Sequence, residues 1–491
     1  MKIKHLISAV LALLLACSLP VTALAAEYDL AEGSVTVIAT ESGQTVTHGS
    51  NAAVPDDAPV IIQSNSETPT ANTVTVKAEE NAAANVIIQG VNIVKDAPLG
   101  TVVPSNAAVT VDVADGAEAN ITLSGVNIDM EKTGGGSFDD PATGETVPYY
   151  GEAAVQITGN GDVTIELDGE NTLQSGWNRA GVEKNDGNSS GNLTITDENE
   201  THGSLNATGG EGGAGIGGGG AGSGSDITIS GSAKVTAQGG KDGSGIGGGA
   251  YGSGSNIKIS GTAEVTAKGG NYGSGIGGGY NGSGNNITIS QDAQVKAQGG
   301  KGGKSSNSEV LYGAGAAIGN GGKPGYTNSG NLNGTEATPN TDELTPNGKI
   351  EYYAPDANME TGVPIKAVAG TYVPPQPTES DEEAPQTAAL YRVLGQDGKD
   401  LSYKAARQDG VLTITVDADF AILTGSLSGM KTLKAQGVDA VAFVTNGASS
   451  TSAIANLLAQ GSSADTYNLT HDGTAVTFTL NNGADINKNL Q

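Results

Sequence analysis

Side chains able to hold a ligand crowd into one stretch, where Phe138, Asp139, Asp140, Glu145, Tyr149, Tyr150 and Glu152 fall within fifteen residues. Carboxylates together with backbone carbonyls collect calcium, so Asp139, Asp140 and Glu145 are the candidate metal ligands. Aromatic rings present apolar faces on which a sugar can stack, so Tyr149 and Tyr150 are candidate ligand contacts, joined by Trp177 and Arg179 a little further along. The plainer reading is a solvated loop whose Tyr150 packs down on its support, with Trp177 as a packed corner. Catalysis has a weaker footing. Glycoside hydrolysis needs two carboxylates at a set separation, and Asp139-Asp140 with His202 has no Arg or Lys constellation beside it. A lyase needs a strong base, and Arg179 is the only arginine before Arg392. No enzymatic activity is expected.

The elements that must position these residues are set by a repeat. From Gly209 to Gly303 the chain repeats every 30 residues without insertion: Ile216, Ile246 and Ile276 recur in register, as do Ile229, Ile259 and Ile289, and Ala237, Ala267 and Ala297. A fixed period of this size marks a stacked architecture in which no repeat buries its apolar face alone. Ile227-Thr228-Ile229 and Val235-Thr236-Ala237 alternate apolar and polar, the period of a half-buried strand, and are too short and β-branched for helices. Glycine supplies the corners, as in the Gly215 to Gly219 run. The fold expected is all-β: a parallel β-helix solenoid with about three short strands per coil, and Ile, Val and Ala stacked inside.

Upstream the same coil lengthens. Val86 to Ile93 matches Ile121 to Ile128 at an offset of 35, and Ile165 follows Ile121 by 44, the extra residues falling in Gly134 to Glu152, which should therefore project from one corner. Residues 26–70 read as an N-terminal cap with one strand at Val35 to Ala39, residues 71–355 as the parallel β-helix, and 356–385 as a Pro-rich acidic linker. Residues 386–491 read as a small α+β domain, with strands over Val411 to Val416 and Val438 to Val444, a helical face at Ile454, Leu457 and Leu458, and a hairpin around His471-Asp472-Gly473.

Met1 to Ala25 has a basic start, an apolar run and Ala23-Leu24-Ala25 before Ala26, the pattern of a secretory signal peptide, so an extracellular location is expected. Cys17, the single cysteine, offers a second reading as a lipid-anchoring site. The formal charge of −29 argues against nucleic acid and anionic lipid as partners, because both need clustered Lys and Arg. Three ligand motifs fail on inspection. Gly213-Ala-Gly215-Ile-Gly217-Gly218 fits a dinucleotide fingerprint in form but strands, not a helix, follow it. A calcium nonapeptide needs an aspartate every turn, and Asp226 becomes Asn256 and Asn286. A flat Thr ladder is broken by Lys258.

The Gly-Ala-Gly-Ile-Gly-Gly-Gly run, the strands of Gly-x-Ile-Thr-Ile type and the Glu170-Asn-Thr-Leu to Ala180-Gly-Val stretch resemble a secreted bacterial right-handed parallel β-helix family of carbohydrate-binding domains, over roughly Val74 to Gly322. The resemblance implies a right-handed coil, polysaccharide binding of polygalacturonate type without catalysis, and calcium. The family's calcium-binding aspartates find no residue-by-residue counterpart in this chain. The function expected is therefore a secreted non-catalytic binder of extracellular polysaccharide, pectic and calcium-assisted. The alternative is a structural surface protein or adhesin stalk that displays the C-terminal domain, because Lys234, Glu264 and Gln294 stack outward with no consistent chemistry.

Overall fold

Residues that share a position in the repeat are neighbours in space: Val182 lies beside Ile216, Ile216 beside Ile246, Ile246 beside Ile276 and Ile276 beside Ile318, all in parallel register, in the computed structural model. The structure describes residues 26–483 apart from 57–58, 65, 67, 97–106, 136, 140–145, 149, 200–201, 305–309, 327–329, 373–389, 397–398, 400, 409, 436–437, 462–464 and 482; over 137–139, 146–148, 408 and 435 only the backbone is described. The stretch read as a leader, Cys17 and residues 373–385 of the stretch read as linker therefore lie outside the described residues.

In the first of two units, Met1–Pro374, the chain visits three sheets in fixed rotation. Sheet one has 11 strands, among them Val74–Ala78, Val109–Val113, Val155–Gly159 and Val182–Ser189. Sheet two has nine, among them Ala83–Gln89, Glu118–Ser124 and Asp162–Asp168, and sheet three also has nine, including Asn127–Asp129, Glu170–Gln174 and Ser204–Thr208. Almost every neighbouring pair is parallel, the arrangement of a β-solenoid, and the expected offsets hold: Ile121 pairs with Val86 and with Ile165, and Leu193 with Ile227. Alternation explains the core. Inward residues of each strand are buried, so Ile195, Ile229, Ile259 and Ile289 form one dry column while Thr194, Thr228 and Lys258 between them face out. Each such isoleucine contributes about 1.5–3 kcal/mol by leaving water.

Glycine at one corner is a packing requirement. Gly217, Gly247 and Gly277 have φ of +126°, +125° and +128°, and a Cβ on any of them would stand 2.1 Å from the carbonyl oxygen of the next coil. No side chain fits a contact that short.

The ends differ from the expectation. Residues 26–70 carry several strands instead of one, and they already wind as a coil: Val35–Thr40 pairs in parallel with Val74–Ala78, and Val60–Gln63 with Ala83–Gln89. The edge is covered by Gly43–His48, antiparallel to Val35–Thr40. At the other end Lys349–Tyr353 adds in parallel to Gln294–Gln298, and Lys366–Ala369 turns back antiparallel on it, inside the stretch read as linker. Antiparallel strands at both termini satisfy edge groups that would otherwise recruit another chain.

The second unit, Pro375–Gln491, has two four-stranded sheets. Strands Val411–Thr415 and Ala440–Val444 pair in parallel, and the expected hairpin joins Thr466–Asp472 to Ala475–Leu480. Helix Leu427–Ala435, absent from the sequence reading, and the short helix Ile454–Leu458 help close a core that includes Leu423, Met430, Phe443, Ile454 and Phe478. Hydrophobic spacing over Leu427, Met430 and Leu433 carries the first helix, but Ser428 and Gly429 mask it.

Candidate functional site

The loop expected to project begins at Gly134 and ends at Gly151, and its two ends touch. A Cβ on Gly134 would lie 2.3 Å from the Gly151 nitrogen, and one on Gly151 would lie 2.5 Å from the nitrogen of Trp177. Bare backbone at these points lets three strands of chain stack at one corner. The stack is hydrogen-bonded throughout: Gly151 N–H donates to the Trp177 carbonyl at 2.8 Å, Trp177 N–H to the Thr133 carbonyl at 3.1 Å, and Gly176 N–H to the Glu152 carbonyl at 2.9 Å. The buried Thr133 hydroxyl accepts from Glu152 N–H and donates to the Met130 carbonyl.

On this base the structure brings together three of the four ligand contacts expected from the sequence. The Tyr150 and Trp177 rings have centroids 6.0 Å apart, inclined at 51°, and the Arg179 guanidinium carbon is 5.7 Å from the Tyr150 centroid. Tyr150 is 45% exposed while its ring lies against Trp177 and Arg179, an arrangement that the ligand reading and the plainer reading of a tyrosine packed on its support both allow. Tyr149, Asp140 and Glu145 lie outside the described residues, as does the side chain of Asp139. For the loop itself the structure gives a short antiparallel pair, Ser137–Asp139 with Thr146–Pro148.

Arg179 is held from two sides. Its Nε donates to the Gly151 carbonyl at 3.0 Å and its Nη1 to Glu183 Oε1 at 2.9 Å. Glu183 is buried and also accepts from the Gln156 amide, the Asn185 amide and the Ala180 N–H. A planar guanidinium fixed at two of its donors keeps its orientation, which a lysine could not. A second buried carboxylate, Glu152, is matched by Lys95 at 2.7 Å. Both carboxylates thus compensate cations and anchor the corner.

Glu183 escaped the sequence reading, although a signal was present. It stands in register with Gly217, so Ala180-Gly-Val-Glu183 replaces the glycine of Ala214-Gly-Ile-Gly217 with an acid. A break in so regular a motif marks a position with another duty. Its neighbour Lys184 is fully buried, donating to the Ser225 carbonyl at 2.9 Å, and burial pushes its pKa down.

Elsewhere on the first unit, the outer face of sheet three has a groove of about 490 Å³, flanked by Lys234, Glu264, Lys296, Lys349 and Glu351. Its charges face one another: Lys234 lies 4.0 Å from Glu264, and Lys349 pairs with Glu351, which holds that carboxyl below its ordinary range. Among the described residues no group of three or more His, Cys, Asp or Glu is arranged to hold a metal, and no helix is long and apolar enough to cross a membrane.

Compared with protein-family models, with curated proteins and with solved structures, the chain finds no match.

Proposed function

We propose that the chain is a secreted, non-catalytic binder of extracellular polysaccharide, that its first unit is a right-handed parallel β-helix of the carbohydrate-binding kind its sequence resembles, and that the glycan docks on the Tyr150–Trp177–Arg179 corner. The observation that supports this is the assembly itself. Two rings from different coils and a doubly anchored guanidinium converge beside an exposed tyrosine face, on a rigid base. Functional residues gather on loops carried by such scaffolds. The rings suit the apolar face of a pyranose, and the guanidinium suits a uronate carboxylate, which favours an acidic, pectic ligand. Repetition of the ligand would raise a weak single contact by avidity.

Calcium belongs to this reading only through the projecting loop. The side chains of Asp139, Asp140 and Glu145 lie outside the described residues and no described set of ligands fits the ion, so no step depends on it here.

The test is retention of the full secreted chain on immobilised polygalacturonate and on neutral glycans, with and without a chelator. Retention on polygalacturonate that falls at least about tenfold in Tyr150→Ala supports the proposal; a chain that passes through every glycan defeats it. The competing reading, a stalk that spaces the second unit from the cell, draws on the self-paired charges of the sheet three groove, which leave no consistent outward chemistry. Retention by the second unit alone would favour it.

A further inference from the structure

Four tyrosines gather beside the short sheet one strands Ile246–Gly247 and Ile276–Gly277. Tyr280 is at the centre, its ring 5.0 Å from Tyr251 at 71°, 5.8 Å from Tyr272 and 5.8 Å from Tyr312, while Tyr272 and Tyr312 stack at 4.9 Å. Tyr280 is nearly buried, whereas Tyr251 is 64% exposed. The solenoid does not need these rings. Tyr251 stands where the previous coil has Ala221 and the next has Asn281, Tyr280 where the previous coil has Ala250, and Tyr272 where it has Asp242. Two of them also occupy backbone that disfavours them: Tyr251 and Tyr272 have φ of +63° and +68°. A left-handed conformation costs a bulky residue about 1 kcal/mol or more. Aromatic side chains have been added, against local preference, to one place on consecutive coils.

We propose that this tyrosine cluster is a second glycan site, separate from the Arg179 corner, and that it takes an uncharged pyranose of a neutral polysaccharide. The proposal deepens the polysaccharide-binding reading and rests on it. Charge selects the neutral sugar. Lys241, 2.8 Å from Glu211, is the single cation between two carboxylates, Glu211 and Asp242, so the ground beside Tyr272 and Tyr280 keeps a net negative charge, and one buried oxygen of Asp242 has no hydrogen-bond partner among the described residues. An acidic sugar would meet repulsion there. Size selects a sugar over a protein, because a stable protein interface needs about 800 Å² per partner and the neighbours here are Gly249, Gly252, Gly279 and Gly282, which offer backbone but no side chains to interdigitate. A flat ring with hydroxyls around its rim suits an open tyrosine face edged by peptide groups.

The repeat supplies variants that should keep the fold: Tyr251→Asn copies Asn281, which has φ of +58°, and Tyr280→Ala copies Ala250. The full chain is titrated with neutral gluco-, manno- and galacto-hexasaccharides and, in parallel, with oligogalacturonate. Trp177 is the only tryptophan, so its fluorescence reports the corner alone, while calorimetry registers binding anywhere on the chain and the cluster variants assign it. The expected result is saturable binding of at least one neutral hexasaccharide, weakened at least about tenfold in Tyr251→Asn and Tyr280→Ala, unchanged in Tyr150→Ala, and silent in Trp177 fluorescence. No saturable neutral binding, or binding indifferent to both cluster variants while their melting curves stay native, overturns the proposal. Loss of oligogalacturonate binding from the unmodified chain would instead count against the corner, so the two failures are distinguishable.

Discussion

Arg179 and Glu183 stabilise the corner only as a pair, because Glu183 is 1% exposed and would be a buried charge with amide partners alone if the guanidinium were removed. Breaking a pair of this kind by deleting one partner typically costs about 3 kcal/mol or more. Arg179→Ala should lower the denaturant midpoint of the first unit accordingly, and the double variant Arg179→Ala with Glu183→Gln should recover much of the loss; equal midpoints for single and double variants would show that the pair contributes packing only. In the second unit His471 is fully buried, with Ser450 2.7 Å from Nε2, Thr445 3.2 Å from Nδ1 and the Phe443 ring against it. Burial pushes its pKa below the ordinary 6.5. The unfolded chain therefore takes up the proton first, so the stability is complete above 6.5 and is lost as pH falls toward the folded pKa. Calorimetry from about pH 7.5 down to pH 5 should show the transition of the second unit falling, and His471→Gln should flatten that slope.

At the level of strands and corners, the 30-residue motif makes the register legible in the sequence, since Ile227, Val235 and Ile246 each announce a strand and their copies announce its partner. The close approach of successive coils decides which glycines tolerate a methyl group. Gly247 has φ of +125° and a Cβ would meet the Gly277 oxygen at 2.1 Å. Gly247→Ala should cost more than about 3 kcal/mol or prevent folding. Gly187, with nothing within 4 Å of its Cβ position, should accept alanine within about 0.5 kcal/mol. Chemical denaturation of both variants is the check. Ser244 and Ser274 occupy the place of Ala214 and bond the Gly248 and Gly278 carbonyls at 2.8 Å, so the repeat itself shows that alanine fits there.

Across the whole first unit, stability is a sum of nearest-neighbour contacts between coils. Removing residues 240–269 takes out one full period and rejoins equivalent positions, Gly239 to Gly270, so Ile229 acquires Ile289 as its neighbour. That variant should keep its β-type circular dichroism and a cooperative melt within about 10 °C of the parent. Removing 240–254 alone, half a period, should abolish the melt, because every later strand would then present the wrong face. A native-like melt from the half-period deletion would remove the basis for a register-locked stack.

Period, strand alternation and glycine placement are local properties, and in a solenoid each coil repeats the geometry of the last, so one strip of sequence specifies the pairing of Ile216 with Ile246 and everything stacked beside it. Where coil length varies, that propagation stops. Residues 26–70 lack the motif, and only folding shows that Val35 stacks on Val74; the 44-residue coil carries Tyr150 back to Trp177 because Gly134 and Gly151 let the loop ends close. The tyrosine cluster was equally hidden: Tyr251, Tyr272, Tyr280 and Tyr312 share no position in the repeat, and meet only because different corners of successive coils fold to the same side.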